Sequence, residues 1–241
     1  MTKKIALTTA ILILSLIVWI GRSSGQGKKG PEEEMDVVEE PSELVPETAA
    51  PLKILLPNEY SDADVLAQFT PQDERMLKVV KSLALACKTI LHKWLNSKAV
   101  SEDVLFSFLY YPIAKTNPAK FHTDYDKLAD EELQNILEAH VQMEPDSVYA
   151  ILSDRNGYVP THNLEFSKPL TGDMQKDIAE SRNKRIYADK TGLAAARNQK
   201  RHLLQVYRKD TGDVLMDLSL PVLVGSQHWG CARVGYYRRE K

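Results

Sequence analysis

From Val148 to Tyr237 the hydrophobic period of the sequence is two, and this constrains the fold of the chain more than any other feature. Successive side chains of a strand point to opposite faces, so a period of two recurring between turn residues calls for a sheet. Val148–Leu152 reads as a strand, Asp154-Arg155-Asn156-Gly157 as a hairpin turn and Tyr158–His162 as the return strand. Pro160 cannot donate to a ladder and confines that return strand to an edge or a bulge. Asp173–Arg182 reads as a helix. His202–Arg208, Val214–Val224 and His228–Tyr237 then follow as three strands, parted by Lys209-Asp210-Thr211-Gly212-Asp213 and by Gly225-Ser226-Gln227. The pattern is a hairpin, a connecting segment and a three-stranded meander.

Upstream the period becomes helical. Leu77, Val80, Ala84, Cys87, Leu91 and Trp94 recur at steps of three and four, with Met76, Val79, Leu83, Ala86 and Ile90 as a second stripe beside them. Pro71 opens the segment, and Asp73 and Glu74 place negative charge in the first turn. The spacing predicts a helix over about residues 71–96, part of whose wide apolar face covers the sheet and part of which could pair with a second copy in a homodimer. Residues 101–143 are mixed, with a turn at Thr116-Asn117-Pro118 and helical character over Asp130–Val141. Helices over an antiparallel sheet of five strands (about 148–237) make an α+β domain.

Charge is distributed unevenly. Pro31 to Pro51 holds eight acidic residues and no basic one, leaving 26 basic and 25 acidic residues from Leu52 onward. The net charge of −2 leaves no basic excess for a nucleic-acid surface. Residues 26–58, rich in Gly, Pro, Ser and Glu, cannot offset the entropy of ordering and read as a flexible acidic linker. The domain occupies 59–241.

Lys3 and Lys4 precede an uncharged stretch, Ile5–Ile20, with Arg22 beyond it. As a helix the stretch spans about 25 Å, just short of a hydrocarbon core of about 30 Å. Residues 1–25 therefore read either as an uncleaved signal anchor, with Trp19 at interfacial depth, or as a signal peptide cleaved near Ser23 and Gly25. The charge bias keeps the N-terminus cytoplasmic. The rest then lies in the periplasm, either on a single-pass anchor in the cell inner membrane or secreted after cleavage.

Four blocks carry a resemblance: Ser153–Asn163 (SDRNGYVPTHN), Arg182–Leu193 (RNKRIYADKTGL), Leu204–Gly212 (LQVYRKDTG) and His228–Tyr236 (HWGCARVGY), with Tyr111–Pro118 and Phe121–Tyr125 leading in. In order and wording they resemble the Cache/PAS-like sensor module of bacterial methyl-accepting chemotaxis receptors, over roughly 111–237. The resemblance implies a five-stranded antiparallel PAS-like sheet behind a long N-terminal helix. It also implies a sensor that binds a small ligand in chemotaxis-type signal transduction rather than an enzyme. The sequence stops four residues after Tyr237 and does not include the methylated coiled coil of such a receptor, so the state of the sensor is expected to pass to a separate receptor or kinase. No ligand transfers with the resemblance.

Tyr158, Pro160 and His162 share one face if the chain there is extended, and Trp229 begins the last strand. A pocket lined by Tyr158, His162, Tyr207, Asp217 and Trp229 could hold a small polar ligand whose charge pairs with Asp217 or Arg185. Equally, His162 and Asn163 could cap the hairpin exit while Trp229 fills core. Arg182, Arg185 and Asp189 could bind a carboxylate or form an internal ion-pair network. His162, His202 and His228 match no metal-ligand spacing. No CxxCH, nucleotide-binding glycine loop or nucleophile elbow occurs, and Cys87 and Cys231 read as buried apolar residues. No cofactor is expected. The other readings left open are a structural adaptor with an empty PAS-like fold and a metal- or haem-binding sensor.

Overall fold

The computed structural model describes residues 69–239 and Leu66; Ile5–Ile20 and the acidic linker lie outside them. Helix α1 (Pro71–Asn96) starts on a capping box. The Thr70 amide donates to Asp73 Oδ2 at 2.7 Å, and the Asp73 amide donates to Thr70 Oγ1 at 3.2 Å, so two orphan donors of the first turn are satisfied. Asp73 also accepts from the Tyr236 hydroxyl at 2.5 Å and pairs with Arg238, which ties the start of the helix to the far end of the last strand. Helix α2 (Glu102–Ser107), capped by Ser101, leads to a small ladder of β1 (Tyr111–Pro112) and β2 (Phe121–His122). A short α3 (Asp126–Leu128) and one π turn run into α4 (Gln134–Val141), which packs on α1 and on the first long strand.

That strand, β3 (Ser147–Asp154), joins β6 (Leu203–Arg208), β7 (Val214–Val224) and β8 (Gln227–Tyr236) in one antiparallel sheet of order β3-β8-β7-β6. Both β-hairpins of the expected meander are present, in register Val206↔Met216 and Leu218↔Val234. Among the described residues the sheet has four strands, not five. After the Asp154–Gly157 turn the chain does not return along β3. Instead β4 (Tyr158–Val159) pairs with β5 (Arg185–Ile186) in a separate ladder. The turn is held in that course by backbone. Gly157 has φ +86°, its carbonyl accepts from the Tyr187 amide at 2.9 Å, and a Cβ there would lie 2.4 Å from the Tyr187 carbonyl oxygen. On the outer edge of β3, the Ala150 amide donates to the Asn163 side chain at 2.8 Å, so a side chain does locally what a neighbouring strand would do. Helices α5 (Met174–Glu180) and α6 (Lys190–Ala196) lie in the excursion between β4 and β6.

The two faces of the sheet differ. Ala150, Leu152, Val206, Met216, Leu218, Ala232, Val234 and Tyr236 pack with Met76, Val80, Leu83, Leu91 and Trp94 of α1 in one apolar core. Both apolar stripes of α1 point largely into this core, leaving Lys78, Lys81, Leu85 and Thr89 on its outward face. The other sheet face is covered by the excursion between β4 and β6, and holds the smaller cluster of Tyr149, Ile151, Val159, Phe166, Tyr207 and Leu215. Among the described residues no helix is long and apolar enough to cross a membrane.

Two stability measurements follow. Asp73→Ala removes the acceptor of the buried Tyr236 hydroxyl and one partner of Arg238, and should cost about 3 kcal/mol, against about 1 kcal/mol for Thr70→Ala, read from urea midpoints at constant m. The second concerns Asp154. Burial pushes its carboxyl up to about 6, even though it accepts from the Tyr110 hydroxyl and from two turn amides. A carboxyl that binds its proton more tightly folded than unfolded stabilises the fold as pH falls from about 6 toward about 4, and costs stability above that window. Asp154→Asn keeps the acceptor of the two turn amides without the charge and turns its amide nitrogen, a donor, toward the Tyr110 hydroxyl oxygen. It should be the more stable form above pH 6, with the advantage shrinking to nothing by about pH 4.

Candidate functional site

Four residues of the second sheet face, Tyr149, Ile151, Tyr207 and Arg233, form the floor of a small, partly open cavity of about 20 Å³. His162, Arg182 and Tyr187 of the covering segment roof it, and Lys209 closes the end at the β6–β7 turn. The space is narrow and suits a guest of only a few non-hydrogen atoms. Cross-strand register sets the floor. Gln205, Asp217, Gly235 and Tyr149 lie in one row across β6, β7, β8 and β3. Gly235 leaves a lane in that row: a Cβ there would sit 2.1 Å from the Tyr149 ring. The ring crosses β8 through this lane, and its hydroxyl donates to Asp217 Oδ2 in a very short hydrogen bond. Arg233, one row away, turns two guanidinium nitrogens on the same oxygen, Nε at 2.9 Å and Nη2 at 2.8 Å. Burial, then the Asp217 charge, pushes the Tyr149 phenol far above its usual range; it is the proton donor of the pair.

The roof is held by a second charged group. Arg182 Nη1 meets Asp210 Oδ1 at 2.6 Å and the Ile178 carbonyl at 3.0 Å, while Arg185 reaches the other Asp210 oxygen at 3.2 Å. Both guanidinium groups lie over the Tyr187 ring, at 5.2 and 5.1 Å. Lys209 leans on Asp213 at 3.4 Å, and its ammonium loses basicity through burial and the nearby Arg182.

Two polar side-chain ends of the lining residues have no hydrogen-bond partner among the described residues. His162, 3 % exposed, accepts the Asn163 amide proton on Nδ1 at 2.8 Å, so its hydrogen is carried on Nε2. Burial, then the charges of Arg182, Lys209 and Arg233, hold its pKa well below the usual histidine value and keep the ring neutral. Nε2–H has no hydrogen-bond acceptor among the described residues, and neither the oxygen nor the proton of the Tyr207 hydroxyl has a partner there; burial raises that phenol to about 12. The lining contains no serine, cysteine or carboxylate.

Of the residues singled out in the sequence, His162 and Tyr207 meet in this cavity, and Asp217 lies directly beneath the floor. Arg185 stands behind Arg182 rather than on the lining. Trp229 and Tyr158 are elsewhere. Alternation along β8 would put Trp229 on the face of Cys231 and Arg233. A bulge between the pairs Val222↔Gly230 and Leu223↔His228 inserts Trp229 as an extra residue and turns it to the α1 side, where its indole donates to the Leu105 carbonyl at 3.1 Å. Tyr158 donates to Asp126 at 2.7 Å and stacks at 5.2 Å on Tyr110. Asp189 caps α6, accepting from Thr191 and Gly192, so the Arg182–Arg185 group is an internal network closed by Asp210. His202 stacks on Phe69 and His228 lies on a separate polar surface, and no group of three metal-ligating side chains occurs among the described residues. Tyr149, Arg233 and Lys209 were not singled out. The signal for Arg233 was present, as a lone charge inside the apolar run Trp229–Tyr236.

No family model, curated protein or solved structure matches the chain.

The Asp217–Arg233 pair carries its own test. Arg233→Met leaves Asp217 buried and unpaired and should cost about 3–5 kcal/mol. Adding Asp217→Leu removes the orphaned charge and should recover most of that loss, a non-additivity read directly in a double-mutant cycle.

Proposed function

We propose that this chain is a non-catalytic sensor domain of the PAS-like, Cache type, binding a small ligand between its sheet and the covering segment. The observation that carries the reading is a partly open pocket lined by two largely buried residues, His162 and Tyr207, whose Nε2–H and hydroxyl have no protein hydrogen-bond partner among the described residues. Polar groups of largely buried residues are usually satisfied, so a pair left without protein partners beside one pocket reads as a place for a guest. The layer order is consistent with this: a long helix on one face of an antiparallel sheet, and the cavity on the other. In a PAS-like reading, the segment from Tyr158 to Asn163 takes the place of a fifth strand beside β3, attached there through the Asn163 side chain.

The setting is proposed on the sequence alone. Ile5–Ile20 anchors the domain in the inner membrane by a single pass, or is cleaved to release it into the periplasm, with the acidic linker as spacer. Its state passes to a separate receptor or kinase in chemotaxis-type signalling. One observation favours a second reading: about 20 Å³ is little room, as expected of a structural adaptor whose pocket its own side chains fill.

Thermal melting of the full chain against a broad metabolite panel separates the two. A ligand at a hundred times its Kd adds about 2.7 kcal/mol and raises Tm, and Ile151→Trp, which fills the cavity, should abolish that rise. A flat response across the panel leaves the adaptor.

A further inference from the structure

The lining of the cavity is cationic, and this narrows what it can hold. Arg182, Lys209 and Arg233 all contribute to the wall, and no carboxylate does. The carboxylates that orient them stand outside it: Asp210 behind Arg182, Asp213 behind Lys209 and Asp217 beneath Arg233. Arg185 stands behind Arg182 and shares Asp210 with it, so these two cations meet a single carboxylate. The two unpartnered ends have the matching polarity. In the tautomer that the Asn163 amide imposes, His162 Nε2 can only donate, and the Tyr207 hydroxyl carries a proton to give. The Lys209 ammonium, its side chain 7 % exposed, meets Asp213 only at 3.4 Å and keeps donors to spare. Donors and cationic groups around a narrow space, with no carboxylate in the lining, describe a site for a compact group of acceptor oxygens.

We infer that the cavity formed by His162, Arg182, Tyr207, Lys209 and Arg233 binds a small oxyanion, of the size of a one- or two-carbon carboxylate or an inorganic anion of similar bulk. This deepens the ligand-binding reading above and rests on it. His162 Nε2–H and Tyr207 O–H donate to the oxygens of the anion, Lys209 supplies the charge, and Tyr149 and Ile151 exclude anything larger. The paired aspartates keep the empty site folded by balancing most of the cationic charge. The guest is held by hydrogen bonds and charge alone, with no covalent step.

The test is thermal melting and calorimetric titration of the full chain at constant ionic strength. The probes are sodium formate, sodium acetate, sodium nitrate, acetamide as the neutral isostere of acetate, and methylammonium chloride. An oxyanion should raise Tm and bind at least tenfold more tightly than acetamide or methylammonium. Formate or acetate as the best probe makes the source a carboxylate, nitrate makes it an inorganic anion, and either upholds the proposal. Tyr207→Phe and Lys209→Gln, which leave the buried Arg233–Asp217 pair intact, should each weaken binding about tenfold. Ile151→Trp should abolish it. If acetamide or methylammonium binds as well as acetate and Ile151→Trp removes that binding, the cavity is a ligand site but not an anion site, and only this inference falls. If none of the probes binds, and the wider panel is silent too, the ligand-binding reading falls with it.

Discussion

An arginine placed in the middle of a buried strand must be given its counter-charge on the spot, because an unpaired buried charge costs more than the domain can spare. Arg233 is such a residue, 2 % exposed on β8, and Asp217 of the neighbouring strand is its answer. Much of the second sheet face follows from that pairing. Gly235 has no side chain, so Tyr149 can lie across β8 and reach the same Asp217 oxygen. The guanidinium, drawn toward Asp217, sits 5.6 Å from the Tyr207 ring and contributes a cationic floor. The covering segment then closes over this floor through a second pairing of the same kind, Arg182 and Arg185 with Asp210. Two ion-pair clusters thus set floor and roof, and the space between them keeps two donors without partners.

The opposite face works by apolar burial alone. There the alternating residues of all four strands meet α1 in a single core, and a buried ion pair stands at the start of the helix. At that end Asp73 joins the capping box, Tyr236 and Arg238. Gln72 donates to both Asp146 and the Tyr237 carbonyl, and Arg239 reaches Asp146 as well. The first turn of the helix and the last residues of the sheet are therefore one hydrogen-bonded unit. Any shift of β8 that a guest beside Arg233 produced would be felt at the N-terminus of α1, because β8 carries Arg233 on one face and Tyr236 on the other.

How legible these features were depended on the range over which each is decided. The helix from Pro71 was readable to the residue, since proline, acidic first turn and two apolar stripes are local and agree. The strands β3, β6, β7 and β8 are readable from period and turn residues. The fifth strand was misread. Asp154–Gly157 is a hairpin-turn sequence, but Tyr187 and Asn163, far along the chain, decide where its return leg goes. Trp229 was misplaced for a similar reason: strict alternation assigns it to the cavity face, and one bulge residue reverses the assignment. His162 and Tyr207 stand out in the sequence, while Tyr149 and Lys209 do not, because nothing in their neighbours sets them apart.

The sequence by itself determined the helix, the strands, the turns and the asymmetry of charge along the chain, because each arises from residues within a turn or two of one another. Only the tertiary structure decided which charges meet, which face Trp229 takes, and that the wall between sheet and cover is cationic with two donors left open. Those outcomes depend on cross-strand register and on contacts between residues dozens of positions apart, and neither is encoded in spacing.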